Sequence, residues 1–226
     1  MSWLFVISFV LGVLTLFVLY SFEIKDFNRT GAVKFKFYTR IPFELNRFKR
    51  DRKDSYVFPA LQVVGSLLLI MPMLAFALDV QRLGGAITVA YTLFTIVTLA
   101  FATFNILTFI KLSNYKLHMI FTTIFVGLVL LLQTLFIFFF SSSNYMYGKG
   151  ILSQGVQIAN FVVSLIFIII EFALMLNPQY KNWFRMVKVD AETYNRPKYC
   201  YLAILERGTL VNLILSYIPV AIVMFA

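Results

Sequence analysis

Apolar residues are grouped along the chain into six long runs, separated by shorter polar segments. A helix needs about 20 apolar residues to cross the roughly 30 Å of hydrocarbon in a bilayer, and each run is long enough. The runs lie near residues 2–21, 57–78, 85–110, 117–140, 155–176 and 202–225. The first has no basic segment before it and no small-residue cleavage site after it, so we expect a retained span rather than a signal peptide. The pattern predicts an all-α polytopic membrane protein, a six-helix transmembrane bundle forming a single domain over 1–226.

Composition excludes several other classes of protein. The chain is 61% hydrophobic and 13% charged, with a mean hydropathy of +0.85, whereas a soluble domain carries about 25% charged residues. This excludes a soluble globular enzyme and a disordered regulator. One Cys and one His supply neither an internal disulfide nor a cluster of metal ligands. We therefore expect no metal and no cofactor.

Basic residues fall on one side of the six-span arrangement. Ten of the twenty Lys and Arg residues lie in loop 22–56, and eight more lie in turn 111–116, in loop 177–201 and at the start of span six. The opposite side carries only Arg82 and Lys149. Because Lys and Arg are held on the cytoplasmic side, we predict basic cytoplasmic loops at 22–56 and 177–201, and both termini outside the cytoplasm. Anionic lipid headgroups are the expected counter-charge. The abundance of Phe, Ile, Lys and Tyr favours a bacterial cytoplasmic membrane.

An amphipathic helix is predicted between spans five and six. Asn177 can cap it and Pro178 suits its first position. One face is aromatic and apolar, with Tyr180, Trp183, Phe184 and Val187. Another face is basic, with Lys181, Arg185 and Lys188. Such a helix lies in the membrane interface. It serves either as a membrane anchor or as a surface on which a partner docks.

The other long loop has a different period. Residues 33–37 alternate between apolar and basic side chains until Pro42 interrupts the pattern. A two-residue period is typical of a short strand or an extended interfacial segment. Aromatic residues among cations can also bind single-stranded nucleic acid, but the membrane setting favours lipid headgroups. No nucleic-acid partner is expected.

Polar and small side chains recur at helical spacing inside five runs. They are Ser8, Gly12 and Thr15 in span one; Thr88, Thr92, Thr95, Thr98, Ala102 and Asn105 in span three; Thr123, Gly127 and Gln133 or Thr134 in span four; Gln157, Asn160, Ser164 and Glu171 in span five; and Thr209, Asn212 and Ser216 in span six. Helices in lipid associate through small residues and internal hydrogen bonds. Spans three to six are therefore expected to pack around a polar seam. The seam is either ordinary helix packing or a groove for a substrate or partner.

Glu171 stands out because an ionised carboxylate in hydrocarbon is costly and must face inward, find a partner or take up a proton. Arg207 and His118 are its candidate partners, both near the same ends of their spans. Glu171 belongs either to a structural pair or to a proton- or ligand-binding site. The candidate intramembrane polar site comprises Glu171, Asn160, Gln157, Gln133, Asn105, Asn212, His118 and Arg207.

No catalytic motif accompanies these residues. His118 and Cys200 lack a third orienting residue, so we predict that the protein is not an enzyme. The favoured prediction is a non-catalytic protein that acts by protein binding in the membrane, as an accessory subunit of a membrane complex or as an immunity protein against a membrane-active toxin. The alternative is a small transporter or channel with a polar seam around Glu171, in which the Pro72 kink could act as a hinge. A homo-oligomer would give so small a transporter more bulk.

Overall fold

The computed structural model describes residues 2–30, 35–36, 38, 40–50, 56–82, 84–110, 114–140, 153–176, 187–188, 194–195 and 200–225. The helices in this part of the chain are α1 (Ser2–Thr30), α2 (Pro42–Arg50), α3 (Val57–Arg82), α4 (Ile87–Leu107), α5 (Tyr115–Phe140), α6 (Gln154–Met175), α7 (Tyr201–Leu215) and α8 (Tyr217–Phe225). Two short strands, β1 (Val187–Lys188) and β2 (Tyr194–Asn195), pair antiparallel. Six helical stretches are long and apolar enough to cross a membrane, α7 and α8 together forming the sixth. The prediction of an all-α bundle of a multi-pass membrane protein is confirmed.

The sixth span is broken, although the sequence pattern predicted one continuous helix. The helix ends at Leu215, Ser216 forms a turn, and a new helix begins at Tyr217. Pro219 explains the break because it has no N–H to donate to the carbonyl of Leu215, and its ring crowds that carbonyl. The Ser216 hydroxyl donates to the carbonyl of Asn212 at 2.7 Å, which holds the turn together.

The spans pack in a simple order. Helix α1 lies on α3, α3 on α4, α4 on α5, α5 on α6, and α6 on α7 and α8. Helix α8 also contacts α3 and α5, so the sixth span lies inside the bundle. Helix α1 approaches α3 closely at Gly12 and Gly65. A Cβ at Gly12 would lie 2.7 Å from Leu69 Cγ, and one at Gly65 would lie 2.7 Å from Leu16 Cδ2.

Aromatic side chains fill much of the core. Phe76 of α3 packs edge-to-face on Phe140 of α5, with ring centroids 5.8 Å apart. Phe104 of α4 packs on Phe125 of α5 at 5.4 Å. All four rings are buried. Aromatic pairs of this kind add to the free energy gained from area burial, so they hold α3 and α4 against α5.

The polar face predicted for span three is wrong except at Asn105, which contacts α3. Thr88, Thr92 and Thr95 lie on the exposed side of α4, whereas the apolar residues Val97 and Phe101 face the core. The same correction applies to Thr123 and Gly127 of α5, which are exposed. Threonine can satisfy its hydroxyl within its own helix, and Thr92 and Thr95 do so by donating to Thr88 and Tyr91 carbonyls. These hydroxyls therefore do not require an acceptor on a neighbouring helix.

Helix α1 continues to Thr30, past the predicted end of the span at residue 21. An apolar run marks the part of a helix that lies in hydrocarbon. The helix itself can continue beyond that run, because backbone hydrogen bonds do not require apolar side chains.

We refer to the end of the bundle where segments 22–56, 111–116 and 177–201 connect the spans as the basic end.

The described part of segment 22–56 packs against the spans at the basic end. Helix α2 contacts α1, α3 and α7. Two buried apolar clusters fix this arrangement, one with Ile41, Phe43, Cys200, Leu202 and Ala203, the other with Leu19, Phe27, Phe35, Leu45 and Phe58. Phe35 packs edge-to-face on Phe27. Phe35 is therefore buried against the protein rather than facing lipid.

The predicted amphipathic helix does not extend to its expected end. Val187 and Lys188 form β1 and pair with Asn195 and Tyr194. Their backbone groups bond across to another strand, a pairing that side-chain periodicity does not reveal. The rest of the prediction lies outside the described residues, including its membrane-interface residues Trp183, Phe184, Lys181 and Arg185.

Candidate functional site

The residues predicted to form one polar site lie in two separate regions. The first, which we call the basic-end cluster, contains Tyr20, Gln62, Ser66, Asn105, His118, Thr122 and Glu206. The second, which we call the column, contains Glu171, Thr209, Asn212, Ser216, Gln133, Ser164 and Asn160. Every side chain of the basic-end cluster has at least one hydrogen-bond partner, whereas two side chains of the column have none in the described structure.

Asn105 joins three helices in the basic-end cluster. Its Oδ1 accepts hydrogen bonds from Gln62 Nε2 at 3.0 Å and from Ser66 Oγ at 3.2 Å, both on α3. The Tyr20 hydroxyl of α1 donates in turn to Gln62 Oε1 at 3.4 Å. This network ties α1 and α3 to α4 and accounts for Asn105 without a ligand.

His118 pairs with Glu206, not with Glu171 as predicted. His118 Nε2 lies 2.6 Å from Glu206 Oε1, and the Thr122 hydroxyl donates to the same oxygen at 3.0 Å. All three side chains are 1% exposed. Glu206 was not among the predicted site residues, although its three-residue spacing from Thr209 places it next to the polar stripe of span six.

Arg207 is also not the partner of Glu171. Its guanidinium lies 5.1 Å from the ring centroid of Phe35, and Arg40 lies 5.1 Å from the ring of Phe27. The two rings contact each other, with centroids 5.6 Å apart. One arginine thus stacks on each ring of the aromatic pair. Because Phe35 belongs to segment 22–56, its cation–π contact attaches Arg207 to that segment.

Glu171 is fully buried between α6 and α7. Its Oε1 accepts a hydrogen bond from the Thr209 hydroxyl at 2.6 Å, and its Oε2 accepts one from Asn212 Nδ2 at 2.7 Å. Asn212 Nδ2 also donates to the carbonyl of Phe167 at 3.0 Å. In the described part of the chain no cation forms an ion pair with Glu171. Neutral donors hold the Glu171 carboxylate, so its negative charge is left to be balanced by a proton or by a bound cation.

The column continues away from the basic end through the turn in the sixth span. Gln133 Nε2 of α5 donates to the Ser216 hydroxyl at 3.2 Å. Helix α6 runs antiparallel to α7, and Glu171 lies level with Thr209. Two turns further along, Ser164 therefore lies level with Ser216. The column thus brings together side chains of α5, α6 and the sixth span.

Asn160 and Ser164 differ from the other buried polar residues. Both side chains are 0% exposed, and neither has a hydrogen-bond partner in the described structure. Gln133 Oε1 and Asn212 Oδ1, nearby in the same column, are unpaired as well. Leaving a buried polar group unsatisfied costs about 1–3 kcal/mol, so each such group calls for an explanation such as a bound ion, water or ligand. Gln157, one turn beyond Asn160, is only partly buried.

A groove lies beside the column, between α6 and α7. It has a volume of about 530 Å³ and apolar walls. The walls include Ile170 and Leu174 of α6 and Ile204, Val211 and Leu215 of α7. Asn212, which bonds to Glu171, also lines the groove. Tyr38 and Arg207 lie at the basic end of the groove.

Comparison with protein-family models, with curated proteins and with solved structures gives no match to this chain, and its function is therefore inferred from the chemistry of the column and the groove.

Proposed function

We propose that the protein is a small transporter whose ion binds in the column between α5, α6 and the sixth span. One observation carries the proposal: Asn160 and Ser164 are fully buried, yet no described residue forms a hydrogen bond with them. If the polar stripe of α6 only attached that helix to the bundle, these side chains would bond to a neighbouring helix, as Glu171 does. A bound ion with its water supplies the missing partners.

The side chains of the column favour a monovalent cation or a proton. The column offers carboxylate, amide and hydroxyl oxygens, which are the ligands that hard cations prefer. Glu171 is the carboxylate among them, and an intramembrane carboxylate acts as a functional site by default. A single negative charge is balanced by one proton or by one alkali-metal ion. No catalytic step is part of this function.

The column extends far enough to serve as part of a path across the bilayer. From Glu171 to Asn160 helix α6 rises by about 16 Å, roughly half of the hydrocarbon thickness. The proposed location is a bacterial cytoplasmic membrane, with the basic end in the cytoplasm and both termini outside. In this orientation Glu171 lies near the cytoplasmic end of α6, and Asn160 lies further from the cytoplasm along the same helix.

Two proline-disturbed helices meet near the column and provide a place for movement. Pro72 lies inside α3, and Pro219 follows the break in the sixth span. The Tyr217 hydroxyl donates to the carbonyl of Leu69, in the turn that Pro72 disturbs. Pro72 leaves the adjacent carbonyl, that of Leu68, without its N–H donor, so the helix is weakened at this point. Bending at these two positions would open the column.

The test is an ion-flux measurement on the purified full-length protein in liposomes. A pH-sensitive dye inside the liposomes reports proton movement, and imposed Na⁺ or K⁺ gradients test whether these ions move with it. We expect flux from the wild type and at least a tenfold loss for Glu171→Gln, because the amide keeps the size of the side chain but not its charge.

Thr123→Val, on the exposed side of α5, is the matched control and should keep wild-type flux. The transport proposal is wrong if the wild type is no faster than protein-free liposomes under all three gradients. It is also wrong if Glu171→Gln retains full flux.

Protein binding in the membrane, as an accessory subunit or an immunity protein, is the second candidate. One observation favours it: α6 meets the bundle along a narrow stripe, and most of its apolar surface is exposed, including Phe161, Leu165 and Ile169. A photo-crosslinking residue at Phe161 should then give one discrete adduct in native membranes, whereas the same residue at Phe17 of α1 should not. Loss of the adduct after purification, with flux retained, would favour transport.

A further inference from the structure

The break in the sixth span lies beside buried side-chain oxygens that have no hydrogen-bond partner in the described structure. We propose that a dehydrated alkali-metal ion binds at this break, held by side-chain oxygens of Gln133, Ser164 and Asn212. We call these three oxygens, together with the carbonyl of Leu215, the break site. The inference rests on the proposed transport function and deepens it, because it names the class of ion and the place where the ion binds.

Ser164 differs from every other buried hydroxyl in the described part of the chain. Eight serine and threonine side chains are buried there. A serine or threonine in a helix can satisfy itself by donating to a carbonyl of the preceding turn. The Ser164 hydroxyl does not do so and has no other partner among the described residues, so its oxygen is available to a ligand. The other seven hydroxyls all donate a hydrogen bond, and they belong to Ser8, Ser66, Thr103, Thr108, Thr122, Thr209 and Ser216.

The orientation of the two amides at the break follows from their partners. The Ser216 hydroxyl donates its hydrogen to the Asn212 carbonyl at 2.7 Å, so it must accept the 3.2 Å hydrogen bond from Gln133 Nε2. Asn212 Nδ2 donates to two acceptors, Glu171 Oε2 at 2.7 Å and the carbonyl of Phe167 at 3.0 Å. Both amide nitrogens are therefore engaged. The atoms without a described partner are the oxygens, Gln133 Oε1 and Asn212 Oδ1.

The three side chains lie at neighbouring levels near the middle of the bundle. Gln133 bonds to Ser216, and Ser164 lies level with Ser216, as the antiparallel packing of α6 on α7 requires. Asn212 lies one helical turn nearer the basic end. Ser164 also marks the midpoint of α6 (Gln154–Met175). Ion sites in transporters are typically found near the middle of the membrane, at discontinuous helices, and the break site has both features.

The break also supplies a backbone oxygen. Pro219 is buried and has no N–H, so the carbonyl of Leu215 lacks the donor that a continuous helix would provide. In hydrocarbon such a carbonyl has to be satisfied by a neighbouring group or by a bound cation. The Leu215 carbonyl therefore completes the break site.

The chemistry of the break site favours a monovalent metal ion over a proton or a divalent ion. Amide and hydroxyl oxygens are not among the groups that take up a proton near neutral pH, but they coordinate hard cations and replace water of hydration. Sites for Ca²⁺ and Mg²⁺ use carboxylate ligands, and the break site contains none. Glu171 lies one hydrogen bond away through Asn212, and its single negative charge balances one alkali-metal ion.

The experiment measures ion binding to the purified full-length protein in detergent, and flux plays no part in it. Thermal unfolding is followed during titration with NaCl or KCl, with choline chloride holding the ionic strength constant. We expect Na⁺ or K⁺ to raise the melting temperature in a saturable manner, because an ion that binds only the folded protein stabilises it. Ser164→Ala should weaken the affinity for the ion about fivefold, the usual effect of losing one such contact.

Pro219→Ala tests the backbone ligand without changing any side-chain oxygen. The alanine N–H can bond to the Leu215 carbonyl and close the break, so the affinity for the ion should again fall about fivefold. Ser8→Ala is the matched control, because it removes a buried serine hydroxyl that bonds within α1. Its affinity for the ion should equal that of the wild type.

The results separate the break site from the transport function. The absence of a saturable shift with both Na⁺ and K⁺ overturns the break site, as does wild-type affinity in either Ser164→Ala or Pro219→Ala. Proton flux in liposomes without alkali-metal binding would overturn the break site and leave the transport proposal standing. Saturable binding of Na⁺ or K⁺ that Ser164→Ala weakens, in a protein without flux, would support the break site and contradict transport.

Discussion

The basic-end cluster and the column are both polar regions of the bundle, but they differ in how many of their side chains lack a hydrogen-bond partner. Every side chain of the cluster has at least one, although His118 Nδ1 is unpaired, whereas Asn160 and Ser164 of the column have none in the described structure. Asn105 of the cluster accepts two side-chain hydrogen bonds, whereas Asn160 of the column makes none with a described residue. Polar side chains that hold helices together in lipid form bonds with each other. An unsatisfied side chain is instead the feature expected of a ligand site. The comparison teaches that side chains with no hydrogen-bond partner at all, rather than polarity, distinguish the candidate site from the structural region.

The largest effect is expected in the cluster, at Glu206. Glu206→Leu leaves His118 and Thr122 buried without their acceptor, and breaking a buried charged pair costs about 3–5 kcal/mol. We therefore predict a loss of about 3 kcal/mol in the free energy of unfolding. The measurement is reversible unfolding of the purified protein in mixed micelles.

A double variant provides the control for this prediction. His118→Leu combined with Glu206→Leu replaces the whole pair by apolar groups, which is often nearly neutral. The double variant should therefore be more stable than Glu206→Leu alone. If the single change has no effect, the pair is not a structural element, and the contrast between the two regions disappears.

The second prediction concerns Asn105. Asn105→Leu keeps the approximate size of the side chain but leaves the Gln62 amide and the Ser66 hydroxyl without their acceptor. A buried group that loses its partner costs about 1–3 kcal/mol, so we predict a loss of about 2 kcal/mol. The same unfolding assay measures it. A stability equal to the wild type would mean that the Asn105 network does not hold α3 and α4 together.

The same substitution at Asn160 should have the opposite sign. Asn160→Leu removes two unpaired polar atoms from the interior, so we predict an unchanged or slightly higher unfolding free energy, by up to about 1 kcal/mol. Flux in liposomes should be lost because a ligand group is removed. A destabilisation as large as that of Asn105→Leu would show that Asn160 has a structural partner, and the column would then not be a site.

The spans could be predicted from the sequence because hydrocarbon thickness sets helix length. The break in the sixth span was also readable in principle: Pro219 is visible in the sequence, and a proline disturbs the turn before it. The end of α1 at Thr30 was not readable from an apolar run that ends earlier. The packing of α2 under the bundle depends on contacts between distant segments, which a local pattern does not contain.

The site was predicted in part, for a related reason. Helical spacing indicates which side chains share a face, and on α6 it placed Asn160 and Glu171 together on the buried face. It does not indicate which helices are neighbours. His118 and Glu206 are 88 residues apart, so their pairing could not be read from spacing. His118 was therefore assigned to Glu171 because both lie near the same ends of their spans.

The smallest effect is expected on the exposed face of α4, where the sequence pattern was misread. Thr92 donates to the Thr88 carbonyl of its own helix at 2.7 Å, so it makes no bond to another span. Thr92→Val should change the unfolding free energy by less than about 0.5 kcal/mol. Thr122→Val is the matched comparison, because the Thr122 hydroxyl donates to the buried Glu206, and it should cost about 1 kcal/mol. If both valine variants lose the same stability, Thr92 joins helices as Thr122 does, and bonding within its own helix does not account for its hydroxyl.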